Sequence, residues 1–189
     1  MNTGLLQKSI SRVFPNKTAA IAVELFLLFF LGIIAMVIHS KLRIPMHLPG
    51  KQGLVFIALV VAGRGVSRFS FASSLICAGS AILLLTNMFG FSDPFMAVNY
   101  IMLGFLMDLA FRLTDGFNNR LISAVSAGVC WMALPLFKLI TSSLFLLPMS
   151  SFTTGIAYPF ITHFVFGLTG GLIGAGILTA LFSEKRKEI

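Results

Sequence analysis

Apolar residues fill six stretches of the chain, at 18–38, 48–63, 69–85, 95–111, 121–147 and 156–182, and polar residues gather in the short segments between them. A helix that crosses bilayer hydrocarbon needs roughly 20 apolar residues, fewer where the helix is short or the membrane thins around it. The pattern therefore predicts an all-α integral membrane protein, a bundle of six transmembrane helices forming one domain over 1–189. The second stretch is short. The fifth and sixth are long enough to tilt, or to carry a kink at Pro135. The first apolar run begins near Thr18 and is too long for a signal-peptide core, so no cleavable signal is expected.

Composition agrees with the pattern. A chain of 189 residues that is 57% hydrophobic and 11% charged has too little polar surface to cover a soluble domain. The net charge of +8 does not make it a nucleic-acid binder, because the few charges are separated by long apolar runs that would bury any basic patch. Cys77 and Cys130 both fall inside apolar runs and read as small buried side chains rather than as a disulfide or a metal site.

The basic residues orient the bundle, since Lys and Arg stay on the cytoplasmic side in short loops. With the N-terminus inside, the inner segments hold Lys8, Arg12, Lys17, Arg64, Arg68, Arg112, Arg120, Lys185, Arg186 and Lys187, ten of the fourteen basic residues. The expectation is six spans with both termini cytoplasmic, in a bacterial inner membrane. Lys41, Arg43 and Lys51 then lie outside, around IPMHLPGKQG at 44–53, and Lys138 lies within a span. Pro45 and Pro49 stiffen this outer loop and Gly50 lets it turn. With His47 and Lys51 it has the makings of a lid.

Ionisable and hydrogen-bonding groups inside a span are costly and usually face protein or water. In this topology Asn99 and Tyr100, Lys138, and Tyr158 and His163 share a depth in the outer parts of the last three spans. One reading is an outward pocket in which Lys138 meets an anionic group, while His163 and Asn99 hydrogen-bond a planar polar ligand. Phe95, Phe137, Phe160 and Trp131 are available to stack on its rings. The other reading has Lys138 snorkelling to headgroups, Tyr158 in an aromatic belt and His163 satisfying a backbone group. That three spans place such groups at one level favours the pocket, and a small, partly aromatic, anionic ligand.

Toward the inner side, Asp108 precedes Arg112 by four positions, so the two can pair along one helix face. Glu24 has no partner nearby in sequence, leaving an arginine of another helix, a proton or a partner contact. Gly170 and Gly174 form a GxxxG pair, with Gly171 and Ala175 beside it, and Ser70, Ser74 and Ala78 form a second small-residue stripe. Such stripes pack helices within a chain, and the denser one suits a partner as well. Catalysis finds no support. The chain has no GxSG turn, no P-loop and no tight cluster of carboxylates for a metal. Nor does an internal repeat suggest a transporter acting alone.

GLVFIALVVAGRGVSRFSFASSLICAGSAILLL, residues 53–85, and GFLMDLAF, residues 104–111, complete the picture. With six spans in this length and polar residues in the outer parts of the last three, the chain resembles the substrate-binding S-component of energy-coupling factor (ECF) vitamin transporters. The first segment is similar to that family's second and third helices, and the second to its fourth. The resemblance implies a membrane subunit that captures a vitamin or related micronutrient and docks on a membrane coupling subunit with two ABC-type ATPases. No cofactor is expected. The resemblance also implies docking through small residues of the first helix, where Thr18 and Ala22 stand at the family's spacing, followed by Gly32 and Ala35. A rod-shape membrane scaffold of the MreD type has similar size and GFLxxLxxD-like helices, and would need no polar pocket. A small oligomeric channel or secondary transporter is a third class, through the glycine stripe.

Overall fold

The computed structural model describes residues 5–41, 48–86, 93, 95–114, 119–146 and 155–187. Among them are seven helices and no strand: α1 (Leu5–Val13), α2 (Lys17–Lys41), α3 (Gly53–Val66), α4 (Ala72–Leu85), α5 (Met96–Leu113), α6 (Arg120–Phe145) and α7 (Ala157–Lys187). Helices α2, α5, α6 and α7 are long and apolar enough to cross a membrane. Helices α3 and α4 are apolar but have 14 residues each. At 1.5 Å per residue that is about 21 Å, against about 30 Å of hydrocarbon. All six apolar stretches are thus helical, but four rather than six have spanning length. Helix α1 was not expected, because its nine residues, LLQKSISRV, are amphipathic rather than apolar and bury only Ile10.

Local chemistry sets the helix starts. The Asn16 side chain accepts the Thr18 N–H at 2.9 Å and the Asn119 side chain accepts the Leu121 N–H at 2.8 Å, which caps α2 and α6. Asp93 does the same ahead of α5, accepting the Phe95 N–H at 3.0 Å. Helix α3 begins five residues later than the apolar run at 48–63. Gly50 turns the chain with φ +79°, and the Gly53 N–H bonds back to the Gly50 carbonyl at 2.9 Å. Helix α6 continues through Pro135.

Six helices close into a ring in the order α2, α3, α7, α6, α5, α4, with α1 against α2. The interior holds Trp131, Phe56, Leu28, Met36, Ile57 and Ile76. The outside is apolar too: Phe26, Phe105, Leu109, Ile122, Val129 and Ile161 are all exposed. A surface of this kind suits lipid and not water. Small residues bring the backbones close. A Cβ on Gly170 would stand 2.7 Å from the Leu54 carbonyl, and one on Gly174 2.7 Å from the Ala58 carbonyl. Both glycines are buried against α3, so the glycine stripe offers no free face for a partner there. Thr18 and Ala22, in contrast, stand exposed on α2.

Candidate functional site

Two polar clusters occupy opposite ends of the ring. The first lies where α3 and α5 finish and α2 and α4 begin. The Asp108 carboxylate accepts the Ser73 N–H at 3.0 Å, the Ser74 N–H at 2.9 Å and the Ser74 hydroxyl at 2.6 Å. It therefore caps α4 from a neighbouring helix, where the free N–H groups and the positive end of the helix dipole favour an anion. Its cationic partner is Arg64, with Nε at 3.0 Å, and not Arg112. The expectation of an Asp108–Arg112 pair along one helix is thus corrected. Arg112 is exposed, whereas Arg64 is buried with its guanidinium 3.6 Å over the Phe111 ring. Arg64, an inner-segment charge on sequence, stands in the last turn of α3. Beside this group, the fully buried Glu24 accepts the Ser67 hydroxyl at 2.8 Å, and the Phe69 N–H donates to the same Ser67 oxygen at 3.1 Å. Its partner is a serine rather than an arginine.

The second cluster surrounds a cavity of about 270 Å³ at the other end, where α2 and α6 finish and α5 and α7 begin. Asn99, Tyr100, Lys138 and His163, singled out on sequence, all line it. So does Trp131, while Phe95, Phe137, Phe160 and Tyr158 do not; Phe95 stacks on Phe145 instead, with ring centroids 4.5 Å apart. Of the 48–52 segment, Pro49, Gly50 and Gln52 line the cavity, and the half-buried Lys51 does not. His47, with Arg43 and Pro45 of the same loop, lies outside the described residues.

The cavity wall is an aromatic cluster. His39, Phe56, Tyr100 and Trp131 meet ring to ring at 5.0–6.2 Å, and Trp131 stacks on His163 at 5.8 Å. The Trp131 indole N–H donates to the Gly50 carbonyl at 3.1 Å, which pins the loop to the wall. Gly50 is needed there, because of its positive φ and because a Cβ would stand 2.7 Å from the His163 ring. His39 was missed on sequence: it sits in the last turn of α2, just beyond the apolar stretch at 18–38.

Several polar groups of the cavity have defined partners. His163 Nδ1 lies 2.7 Å from the Pro159 carbonyl, which can only accept, so Nδ1 carries a proton, and in the neutral tautomer Nε2 is left as an acceptor. The Tyr100 hydroxyl lies 3.4 Å from His39 Nε2. Asn99 is 6% exposed, and its carboxamide makes no hydrogen bond among the described residues. At the rim, Lys138 Nζ faces Asp93 Oδ2 at 3.7 Å, with both side chains partly exposed. Asp93 was not paired with Lys138 on sequence, since 45 positions separate them and only the fold brings α6 to the start of α5. A half-exposed pair at this distance contributes no more than about 1 kcal/mol and opens readily.

Among the described residues no three His, Cys, Asp or Glu side chains group as a metal site would require. Comparison of the chain with protein-family models, with curated proteins and with solved structures finds no match in any of the three. What the site does has to be read from its own residues.

Proposed function

We propose that the protein is the membrane-embedded, substrate-binding subunit of an ECF-type ABC importer, which captures a vitamin or related micronutrient from the outer side of a bacterial cytoplasmic membrane. The carrying observation is the cavity, which the Asn99 carboxamide lines with no hydrogen bond among the described residues. Its polar atoms stay accessible from the cavity, so a ligand can take up both its donor and its acceptor. A scaffold needs no such open group at a cavity. The size and lining, apolar and aromatic walls with a few convergent polar groups, are those of a small-molecule site.

In this reading all six apolar helices cross the bilayer, α3 and α4 where it thins locally, and both termini are cytoplasmic. The cavity then opens outward, with the 48–52 segment over it. The sequence has no P-loop, so in this reading transport depends on a membrane coupling subunit and two ABC-type ATPases. The exposed Thr18 and Ala22 of α2 are the small residues available for docking. A thermal-shift screen of the detergent-purified protein against a panel of vitamins and precursors is expected to give at least one stabilising compound. Co-purification from the native membrane is expected to bring ABC-type ATPases. Association with cell-shape proteins and no stabilisation by any compound would establish the scaffold instead.

A further inference from the structure

We infer that the ligand is a net-neutral planar nitrogen heterocycle of one or two rings, carrying a hydrogen-bond donor next to an acceptor on one edge, as in a lactam or an aminopyrimidine. This rests on the binding-subunit reading above and replaces the anionic ligand expected from Lys138. Three independent features of the cavity carry it.

The first is charge. Lys138 is not a lone cation, because Asp93 faces it at 3.7 Å across the rim. Among the described residues the lining carries these two opposite charges, which sum to zero. An anion entering here would meet the Asp93 carboxylate as well as the Lys138 ammonium, and a cation would meet the reverse. A net-neutral ligand leaves the pair in place and gives up none of its modest attraction.

The second is the pattern of open hydrogen-bonding groups. A carboxamide presents N–H and C=O side by side, and that of Asn99 has no bond to either among the described residues. Its complement is an edge with an acceptor beside a donor, the geometry by which asparagine grips adenine. With Nδ1–H held by the Pro159 carbonyl, the neutral tautomer of His163 adds an acceptor at Nε2. The Trp131 N–H is engaged by the Gly50 carbonyl, so the indole contributes apolar surface and no donor.

The third is room. An apolar cavity of about 150 Å³ accommodates benzene, so a cavity of 270 Å³ has room for one or two rings.

The test uses three probes on the purified full chain: 4-quinazolinone, its N3-methyl derivative, and quinoline-2-carboxylate, with binding read by calorimetry and thermal shift. The first is a neutral lactam, the second lacks the donor, and the third is an anion of the same size. The expected result is that 4-quinazolinone binds at least roughly tenfold more tightly than either of the others. Asn99→Ala is expected to remove the preference over the methylated probe while leaving weak binding. Because the comparison among probes uses unaltered protein, it stands even if that variant fails to fold. Tighter binding of the carboxylate, lost in Lys138→Ala, would overturn the neutral ligand and leave the binding subunit intact. Equal binding of all three would overturn the Asn99 edge. No binding of these probes, together with a vitamin panel that stabilises the protein, would overturn the heterocycle alone, whereas silence from both sets would overturn the binding reading as well.

Discussion

Asp108 shows how much one side chain can organise inside an apolar bundle. Its two oxygens meet three donors of Ser73 and Ser74 and the Arg64 guanidinium, so a single carboxylate closes the N-terminus of α4 and ties it to α3. The alternative, an exposed pair with Arg112, would contribute a few tenths of a kcal/mol. Removing one member of a buried, hydrogen-bonded ion pair leaves the other without compensation and costs about 3–5 kcal/mol. Asp108→Ala is therefore expected to lower stability by about that much, while Arg112→Ala changes it by no more than about 0.5 kcal/mol. Unfolding of the detergent-solubilised variants measures the difference, and equal losses would restore the Arg112 pairing. Glu24 acts in the same region by a different route. Through Ser67 it links α2 to the α3–α4 connection, which the Phe69 N–H also holds.

Helix pairs are joined by backbone proximity rather than by large side chains. At the α2–α4 crossing, a Cβ on Gly32 would collide with the Ile76 carbonyl, and one on Gly79 with the Phe29 carbonyl. The Ser80 hydroxyl donates to the Gly32 carbonyl at 2.8 Å across the same contact. Between lipid-immersed helices, where hydrophobic burial adds little, such close approach and the interhelical hydrogen bond are the sources of affinity. Gly79→Leu is expected to separate α2 from α4 and abolish the folded, monodisperse protein on gel filtration. Leu85→Ala, on the exposed end of the same helix, is expected to leave the elution profile unchanged. The same rule explains Gly170 and Gly174, whose spacing was legible as a packing stripe. The partner surface it meets, α3, was not legible, since small residues specify closeness and not identity.

For the whole molecule, the alternation of helix direction places the Lys138–Asp93 rim at one end and the Arg64–Asp108 cluster at the other. Under the proposed topology these ends face opposite sides of the membrane. Single cysteines at Lys51 and Arg120 test it. In intact cells an impermeant maleimide is expected to label Lys51→Cys and to reach Arg120→Cys only after permeabilisation. The native Cys77 and Cys130 are buried and are expected to give little background. Labelling of both positions from outside would break the six-span arrangement. The ring closure also explains why the cavity forms: α2, α5, α6 and α7 each contribute a polar or aromatic residue near the same end, and α3 fills the centre with Phe56.

The sequence by itself determined the all-helical class, the apolar surface, the six helical stretches to within a few residues, and the shared depth of Asn99, Tyr100, Lys138 and His163. These follow from runs of hydrophobicity and from counting residues along a helix, both local quantities. It left open which groups meet. That His39 and Trp131 join the wall, that Lys138 faces Asp93, that Asp108 chooses Arg64 over Arg112, and that Tyr158 points elsewhere depend on helix rotation and neighbour order. Those are decided by close packing around the ring, where one glycine or one buried carboxylate selects among arrangements that hydrophobicity leaves equivalent.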